Sequence, residues 1–504
     1  MDPQAAQPPH PTPSPLLSLE PVPALLKRVR EELSAEFDSA KPIRLSRAPG
    51  RLDVMGGIAD YTGSLVCEAT LDRAAAMAMQ QRADRQLQVF SFNLLDEHQP
   101  FTLRISLDAL AEQSADSLRK DFAEPGRRWA GYLVGCLFVL HEQGYIDLKD
   151  PKLAGLSLAL LSTVPLGVGV SSSAAIEVAT MINLADHFGL REKQLDPNKR
   201  LDPLRMAVLC QQVENRIVGA PCGIMDQVTS ITGQPASLLR LLCQPHQLQP
   251  ALHLPKGVRV IGINSHVKHS VGGGMYGKTR CAAFMGHRMI LAKMHEMASA
   301  ARRTLVGDPM NGYLANLDQE DYKKLFRPYL PTSMKGRDFL DRYGSTIDKA
   351  TTVDPDVDYH VQQAMDHHVM EARRVRQFIE FLEEAGQHPQ GTREQGAAFD
   401  KAGHLMYASH LSYTNNALLG ADECDLLVDL VRQHEPDGFY GAKITGGGSG
   451  GTVAILADQS PRVDAALDAI MAEYQQRTGR QPEAFTDTST GAWATGTTVL
   501  PPGK

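Results

Sequence analysis

The segment PLGVGVSSSAA, residues 165–175, holds residue types that could bind a phosphate. It follows the short apolar run Leu156–Ser162 and precedes a stretch with helical periodicity, which predicts a loop that leads into a helix. Its two glycines let backbone N–H groups approach a ligand closely, and its three serines supply hydroxyl groups at the helix start. Because a helix N-terminus combines unpaired N–H donors with the positive end of the helix dipole, the pattern favours phosphate binding over a plain serine-capped turn.

A second glycine cluster, KITGGGSGGT at residues 443–452, lies between two strand-like runs. Five glycines in six positions remove nearly all side-chain bulk, which is costly in chain entropy. A loop that approaches a nucleotide closely and a flexible hairpin turn both account for this composition.

A third glycine-rich run, GGGMYGKT at residues 272–279, has the spacing of a phosphate-binding P-loop with Lys278 as its lysine. A true P-loop follows its strand almost directly. Here the residues HVKHSV separate the glycines from the preceding predicted strand. We therefore expect that this run is not a P-loop.

Two carboxylates lie near each other in the sequence. On the predicted helix at 204–218, Glu214 shares a largely apolar face with Cys210 and Ile217. An unpaired carboxylate is costly there, so either a salt bridge or a Mg²⁺ ion is expected as its partner. Asp226 follows in the run CGIMDQ and is either a base held ionised by an arginine or a helix cap.

Three motifs together resemble the signatures of the galactokinase, homoserine kinase, mevalonate kinase and phosphomevalonate kinase superfamily. They are RAPGRLDVMGGIADY at residues 47–61, PLGVGVSSSAA, and KITGGGSGG at residues 443–451. Their order and spacing are similar to those of the sugar kinases in that superfamily, over about residues 40–495 with a poor match at 300–355. The resemblance implies two α+β domains with the active site in the cleft between them, whereas the residue patterns alone predict only a mixed α and β fold.

The resemblance also assigns roles to individual residues. Asp226 would be the catalytic aspartate, Arg51 would hold it ionised, and Ser173 with Glu214 would hold Mg²⁺. The sugar would be bound by Asp60, Gly223 and Tyr276. The residues expected at ATP are Trp129 against the adenine and, in the glycine-serine loop, Pro165, Gly167, Gly169, Ser171, Ser172, Ser173 and Ala174.

One departure from the galactokinase pattern concerns the substrate. Galactokinases carry Glu-His-Thr-Asp-Tyr where this chain has GIADY at residues 57–61, and in that family the glutamate serves the 6-hydroxyl of galactose. Burying that hydroxyl unpaired costs about 1–3 kcal/mol. L-Arabinopyranose has the ring stereochemistry of D-galactose without the hydroxymethyl group, and Ile58 would fill the vacated volume. Galactose is therefore disfavoured.

The amino-acid sequences of these motifs and nearby segments, including VMGGIADYTGS and HSVGGGMY, also resemble the kinase domain of plant L-arabinokinases more than they resemble galactokinases. The resemblance implies an L-arabinose 1-kinase that uses ATP and Mg²⁺. Two alternatives are a galactokinase with a rebuilt 6-hydroxyl site and a sugar sensor without turnover. The intact serine-alanine run disfavours the sensor.

The elements that must position these residues follow from periodicity. The sequence predicts helices at 23–37, 129–143, 174–188, 204–218, 359–385 and 401–432, and strands at 43–47, 86–93, 101–107, 156–162, 258–264 and around 441–456. The proline-rich residues 1–20 are predicted to be a disordered tail. The expected domains are residues 21–240 and 241–504, the second with a divergent segment at 300–355.

Composition excludes several partners. The 504 residues carry a net charge of -7, so no global positive field exists to attract nucleic acid. The apolar stretches are far shorter than the ~20 residues needed to cross a bilayer. Seven cysteines without a C-x-x-C pair predict a reducing, cytoplasmic environment. The expected partners are a small sugar and ATP, and the oligomeric state is not indicated.

Overall fold

The computed structural model describes residues 15–192, 194–197, 199–268 and 274–503. Its strands are β1 (Ile43–Met55), β2 (Leu65–Gln81), β3 (Gln86–Ser91), β4 (Thr102–Ser106), β5 (Leu156–Ser162), β6 (Ser237–Leu242), β7 (Gln247–His253), β8 (Val258–Asn264), β9 (Met334–Lys335), β10 (Asp358–Tyr359), β11 (Phe439–Ile444), β12 (Thr452–Asp458), β13 (Glu483–Phe485) and β14 (Thr497–Leu500).

Its α-helices are α1 (Val22–Glu32), α2 (Phe92–Asp96), α3 (Leu107–Ala111), α4 (Ala115–Ala123), α5 (Arg128–Glu142), α6 (Ser172–His187), α7 (Pro203–Gln212), α8 (Met225–Thr232), α9 (Met275–Ala300), α10 (Gln319–Asp321), α11 (Gly336–Tyr343), α12 (Val361–Gln387), α13 (Arg393–Ser412), α14 (Asp422–Gln433), α15 (Pro461–Thr478) and α16 (Ala492–Thr495). Short 3₁₀ or π turns connect several of them. None of the described helices has the length and apolar content needed to cross a membrane.

The N-terminal sheet has the strand order β14-β1-β2-β5-β3-β4. Strand β6 pairs with the first residues of β2, and β7 pairs with β6. The pairs of this sheet are antiparallel except for the parallel pair β3–β5. The middle of β2 is rich in buried alanine, and such small side chains leave room for α6 to pack on the sheet. There the Ser46 hydroxyl donates to the Ala179 carbonyl at 2.7 Å. This packing places the middle of α6 against β1.

The C-terminal sheet has the order β11-β12-β8-β13 and is antiparallel throughout. Ile261, Ile263 and Ile455 on its strands pack with buried residues of α14 and α15. Ala454 and Leu456, on strand β12 of the same sheet, belong instead to the hydrophobic core of the N-terminal domain. The two domains therefore share one continuous core, which fixes the cleft between them.

The observed boundary between the two sheets differs from the predicted one at residue 240. Strand β6 continues through a hairpin into β7, so the N-terminal sheet extends to His253. The final strand β14 then returns to pair with β1, from Ile43↔Leu500 to Ser46↔Thr497. The prediction missed both because strand partners far apart in sequence leave no local signal.

The predicted disordered tail is wrong for its last residues. Pro15–Ser18 form a 3₁₀ turn, and the Leu16 side chain is buried in a cluster with Val22 and Leu45. Apolar burial is enough to hold this end of the tail against the sheet. The rest of the predicted tail, residues 1–14, lies outside the described residues.

The divergent segment 300–355 consists of short helical pieces and the two-residue strand β9. Its buried aromatic residues Tyr322, Phe326 and Phe339 form a cluster of their own against α9 and α12. The sequence analysis did not predict α9, whose buried residues all lie between Tyr276 and Ile290. We call residues 300–355 the lobe.

Candidate active site

The glycine-serine loop has the backbone of a close-approach loop. Gly167 and Gly169 both have positive φ angles, of 72° and 74°, which glycine adopts without strain. Ser171, also at positive φ, precedes the first turn of α6. Its buried Oγ has no hydrogen-bond partner among the described residues. An unpaired hydroxyl at a helix N-terminus is suited to an anionic oxygen.

The second glycine cluster packs directly against this loop. The Thr452 hydroxyl donates to the Val168 carbonyl at 2.9 Å. A Cβ on Gly451 would lie 2.5 Å from that same carbonyl oxygen, so only glycine fits there. The cluster is therefore a closely packed loop and not a free hairpin turn, which excludes one of the two interpretations of its composition.

Arg51 and Asp226 form the central ion pair. Both Nε and Nη2 of Arg51 lie 2.8 Å from Oδ1 of Asp226, and Nη1 donates to the Gly169 carbonyl at 2.6 Å. Burial alone would lower the pKa of Arg51, but the charges of nearby acidic groups, above all that of Asp226, raise it above its ordinary value. Ile224, not Asp226, occupies the N-cap of α8, so the helix-cap alternative for Asp226 is wrong.

Glu68 was missed by the sequence reasoning. Its side chain is fully buried on β2, and its Oε2 lies 3.4 Å from Nε of Arg51. Neither carboxylate oxygen has a hydrogen-bond partner among the described residues. Burial, followed by the charge of Asp53, raises the pKa of Glu68 well above its usual range. An acidic residue inside the apolar run of β2 was the only signal that could have indicated it.

A second buried ion pair, also unpredicted, joins the two domains. Nζ of Lys443 lies 2.7 Å from Oδ2 of Asp53, and both side chains are fully buried. The same carboxylate accepts hydrogen bonds from the backbone N–H groups of Gly57 and Gly446. Since Asp53 belongs to the first motif and Lys443 to the third, this pair fixes the two motifs against each other.

Glu214 lies in a π-helical turn, Val213–Val218, that continues α7. Its Oε2 accepts hydrogen bonds from Nε2 of Gln227 at 2.9 Å and from Sγ of Cys222 at 3.4 Å. The Ser173 hydroxyl also hydrogen-bonds to it. No basic residue pairs with Glu214 in the described part of the chain, which argues against the salt-bridge alternative.

The electrostatics of Glu214 follow from its burial. Burial and the charge of Asp226 raise the pKa of Glu214 to about 7, while the hydrogen bond from Ser173 acts in the opposite direction. A carboxylate and a hydroxyl beside a phosphate-binding loop are the oxygen ligands that Mg²⁺ prefers, since it takes its remaining ligands from water and substrate phosphates. The residues therefore fit a Mg²⁺ ion.

The predicted sugar residues meet at the other end of the cleft. Asp60 lies in the 3₁₀ turn Gly57–Thr62, and a Cβ on Gly223 would lie 1.4 Å from its Oδ2. Only glycine at 223 allows this approach. Burial and the charge of Asp226 raise the pKa of Asp60 to about 7, while Arg280 lowers it. Tyr276, in the first turn of α9, lies edge-on to the Tyr61 ring at 6.1 Å.

One cleft brings most of the predicted residues together. Its lining includes Arg51, Asp60, Pro165, Gly167, Gly169, Ser171, Ser172, Ser173, Glu214, Gly223, Asp226 and Tyr276, joined by the unassigned residues Gly57, Ile58, Cys222, Met225, Gly446 and Gly447. Two predicted residues do not line it. Trp129 is half-buried against the core from α5, and Ala174 is fully buried within α6.

The P-loop interpretation has no support from the helix that contains Lys278. Lys278 lies within α9 and does not line the cleft, whereas Tyr276 does. Ten residues, 265–274, separate the end of β8 at Asn264 from the start of α9 at Met275. The glycines at 272 and 273 lie outside the described residues.

Three family models match this chain. The model of the GHMP kinases N terminal domain matches residues 132–234, that of the GHMP kinases C terminal matches residues 397–476, and the galactokinase galactose-binding signature matches residues 31–81. The chain therefore carries regions that match the N and C domains of GHMP kinases and the galactokinase signature. The lobe lies outside all three matches, in agreement with its poor resemblance to the family motifs.

Curated relatives of this chain carry the names of sugar kinases. An L-arabinokinase of Arabidopsis thaliana is 36% identical over 92% of this chain and 48% of its own length. The chain thus spans about half the length of that relative. A galactokinase of Chloroflexus aggregans is 29% identical over 87% of this chain and 90% of its own length.

Solved GHMP kinase structures share the fold. Lactococcus lactis galactokinase complexed with galactose has a TM-score of 0.68 at 21% identity and covers 94% of this chain and 100% of its own. A mevalonate kinase has a TM-score of 0.51 at 14% identity over 89% of this chain and 99% of its own. The predicted two-domain α+β fold of this family is confirmed.

Proposed function

We propose that the protein is a sugar 1-kinase that transfers the γ-phosphoryl group of ATP to the anomeric hydroxyl of L-arabinose. The Arg51–Asp226 ion pair carries this proposal. It lies in one cleft between a glycine-serine loop at a helix N-terminus and the buried carboxylate of Asp60. A phosphate-binding loop, a base and a polar sugar-binding group are the parts that transfer to a sugar hydroxyl requires.

In the proposed reaction the anomeric oxygen attacks the γ-phosphorus, and the bond to the β–γ bridging oxygen of ADP breaks. Asp226 accepts the proton of the attacking hydroxyl, because its carboxylate is held in place by two Arg51 nitrogens. Arg51 is itself fixed by the Gly169 carbonyl and by buried Glu68. Its charge then stabilises the negative charge that develops during the transfer.

Mg²⁺ fits the same cleft. Ser173 and Glu214 would hold it through a hydroxyl and a carboxylate oxygen, which already contact each other. When bound, the ion neutralises charge on the phosphate oxygens. Proton transfer and sugar orientation remain the work of the side chains of Asp226, Asp60 and Tyr276. Trp129 stays a prediction for the adenine contact.

The preference for L-arabinose rests on the wall of the cleft at residues 57 and 58. Gly57 presents no side chain there, and Ile58 presents an apolar one. A hydroxymethyl group directed at this wall would bury its hydroxyl without a partner, at a cost of about 1–3 kcal/mol. That corresponds to roughly a tenfold to hundredfold lower kcat/KM for D-galactose.

Galactokinase activity is the second candidate. The match to the galactokinase galactose-binding signature at residues 31–81 and the coverage of whole galactokinase chains favour it. It requires a partner for the 6-hydroxyl other than a side chain at residue 57.

The deciding experiment measures kcat/KM for L-arabinose and D-galactose with purified protein, ATP and Mg²⁺. We expect L-arabinose to be preferred by at least about tenfold. Asp226→Asn should keep the sugar affinity within about threefold and lower kcat by several orders of magnitude, on the order of 10³ or more. A preference for galactose would replace the first candidate by the second, and turnover unchanged in Asp226→Asn would remove the proposed base.

A further inference from the structure

The space beside Gly57 is already occupied. A Cβ on Gly57 would lie 1.6 Å from Oη of Tyr413, 2.8 Å from its Cζ and 3.0 Å from Oδ2 of Asp53. Contacts below 3.0 Å require one of the two groups to move, because Cβ atoms in proteins do not approach so closely. Gly57 also has a positive φ of 28°. The Tyr413 hydroxyl therefore takes the place that a side chain at residue 57 would need.

Tyr413 is held firmly in that position. Its side chain is fully buried at the start of the π turn Tyr413–Ala417, edge-on to the His367 ring at 5.0 Å. Its hydroxyl donates to the Gly446 carbonyl at 2.9 Å and accepts the N–H of Ile58 at 3.1 Å. Both contacts are to backbone groups that adjoin the cleft. The hydroxyl thus links the third motif to the first.

The second of these hydrogen bonds affects the cleft wall directly. The N–H of Ile58 is engaged by Tyr413 and so is not free to donate to a ligand. Ile58, which is 2% exposed, is among the residues that line the cleft, together with Asp60 and Tyr276. Together these features leave an apolar wall, because both the side-chain space at residue 57 and the donor at residue 58 are taken by Tyr413.

We infer that Tyr413 is a positioning residue for sugar specificity, which keeps the cleft wall at residues 57 and 58 without a polar group and so selects pyranoses that lack a polar exocyclic substituent on that side. This inference rests on the proposed sugar kinase function. Tyr413 itself is not among the residues that line the cleft, so it acts through Gly57 and Ile58.

The first test is Tyr413→Phe, which removes only the hydroxyl. The N–H of Ile58 then loses its partner and the cleft wall at residues 57 and 58 is no longer held in place, so the preference for L-arabinose over D-galactose should fall about tenfold, mainly through a lower KM for galactose. Tyr474→Phe is the matched control. Tyr474 is also fully buried, in the same hydrophobic cluster, and its hydroxyl donates to the Ser265 carbonyl at 2.8 Å.

Tyr474→Phe should lose a similar amount of thermal stability and keep the wild-type sugar preference within about twofold. Equal sugar preference in Tyr413→Phe and Tyr474→Phe would overturn the inference, because Tyr413 would then contribute only stability. The ratio of kcat/KM values separates these outcomes, since a general loss of stability changes both sugars alike.

The second test addresses the occupied space without using activity. Gly57→Ala should lower the unfolding temperature strongly in the wild-type background and much less together with Tyr413→Leu, because leucine lacks both Cζ and Oη. An equal loss in both backgrounds would show that Tyr413 does not fill the space. If the wild type phosphorylates neither sugar, the proposed function fails, but this coupling still decides whether Tyr413 excludes a side chain at residue 57.

Discussion

At the residue scale, Asp60 combines deep burial with a proposed role in sugar binding. Burial and the negative charge of Asp226 raise the pKa of Asp60 to about 7, and the positive charge of Arg280 opposes them. Asp60 is therefore protonated in much of the free protein below neutral pH. A neutral carboxyl group is a weaker acceptor for sugar hydroxyls than a carboxylate, since hydrogen bonds to charged groups are about twice as strong.

We therefore expect the KM for the sugar to rise by up to about tenfold per pH unit below pH ~7 and to level off above it. Steady-state kinetics at saturating ATP measures this. Asp60→Asn should show a high, pH-independent sugar KM. The pKa of Glu214 is also raised to about 7, but its effect should appear in the dependence on ATP and Mg²⁺. A sugar KM that stays pH-dependent in Asp60→Asn would assign the titration to another group.

At the scale of secondary-structure elements, the β1–β2 pairing concentrates charge inside the protein. Asp53 lies directly opposite Glu68 in the register. With Asp226 they make three acidic groups around the two cations Arg51 and Lys443. The pKa of Glu68 lies well above its usual value, because of burial and the charge of Asp53, so the folded protein retains a proton there.

The raised pKa of Glu68 makes the stability of the protein fall as the pH rises. A group whose pKa is higher in the folded than in the unfolded state contributes stability fully below its unfolded pKa, and the contribution is lost as pH rises toward the folded pKa. Glu68→Gln keeps the uncharged shape at every pH. The unfolding temperature of Glu68→Gln minus that of the wild type should therefore increase by about 2–4 °C from pH ~5 to pH ~8. Thermal melts at several pH values measure the difference.

The exposed Glu97 provides the control for this prediction, because Glu97→Gln removes a carboxylate without opening a buried site. Its unfolding temperature should follow that of the wild type at each pH. A constant offset between Glu68→Gln and the wild type would mean that Glu68 is ionised in the folded protein.

The elements also show how far the sequence can predict the site. The bounds of β5 and β8 coincide with the predicted strands, and residues of the glycine-serine loop lie where the motif placed them. Glu68 and Tyr413 were missed, because each acts through a partner that only strand register or domain contact brings close. The mutual position of distant elements is not encoded in any local pattern.

At the scale of the whole molecule, the lobe reaches the sugar end of the cleft through one buried ion pair. Asp348 of the lobe accepts two hydrogen bonds from Arg280, both at 2.8 Å, and both side chains are less than a tenth exposed. The Arg280 guanidinium lies 4.7 Å from the centre of the Tyr61 ring, next to Asp60. The lobe therefore fixes a cation close to Asp60, the proposed sugar-binding carboxylate.

A cavity of about 1060 Å³ lies between the lobe and the N-terminal domain. Arg280 and Asp348 line one side of it, and Pro221 and Cys222 line both this cavity and the active-site cleft. The ion pair thus lies where the lobe adjoins the sugar end of the cleft. A change at Asp348 should consequently affect sugar binding more than ATP binding.

Asp348→Asn removes the ionic partner of Arg280 and should raise the sugar KM several-fold, while the KM for ATP stays within about twofold. Arg280→Met should raise the sugar KM by at least as much. The sugar KM of the double variant should be no higher than that of Arg280→Met alone, since Asp348 affects the sugar end of the cleft through that guanidinium. Asp356→Asn, at an exposed ion pair with Arg337 of the lobe, is the control and should match the wild type. Additive effects of the two changes, or an equal rise in the KM for ATP, would show that the lobe acts on the protein as a whole and not on the sugar end of the cleft.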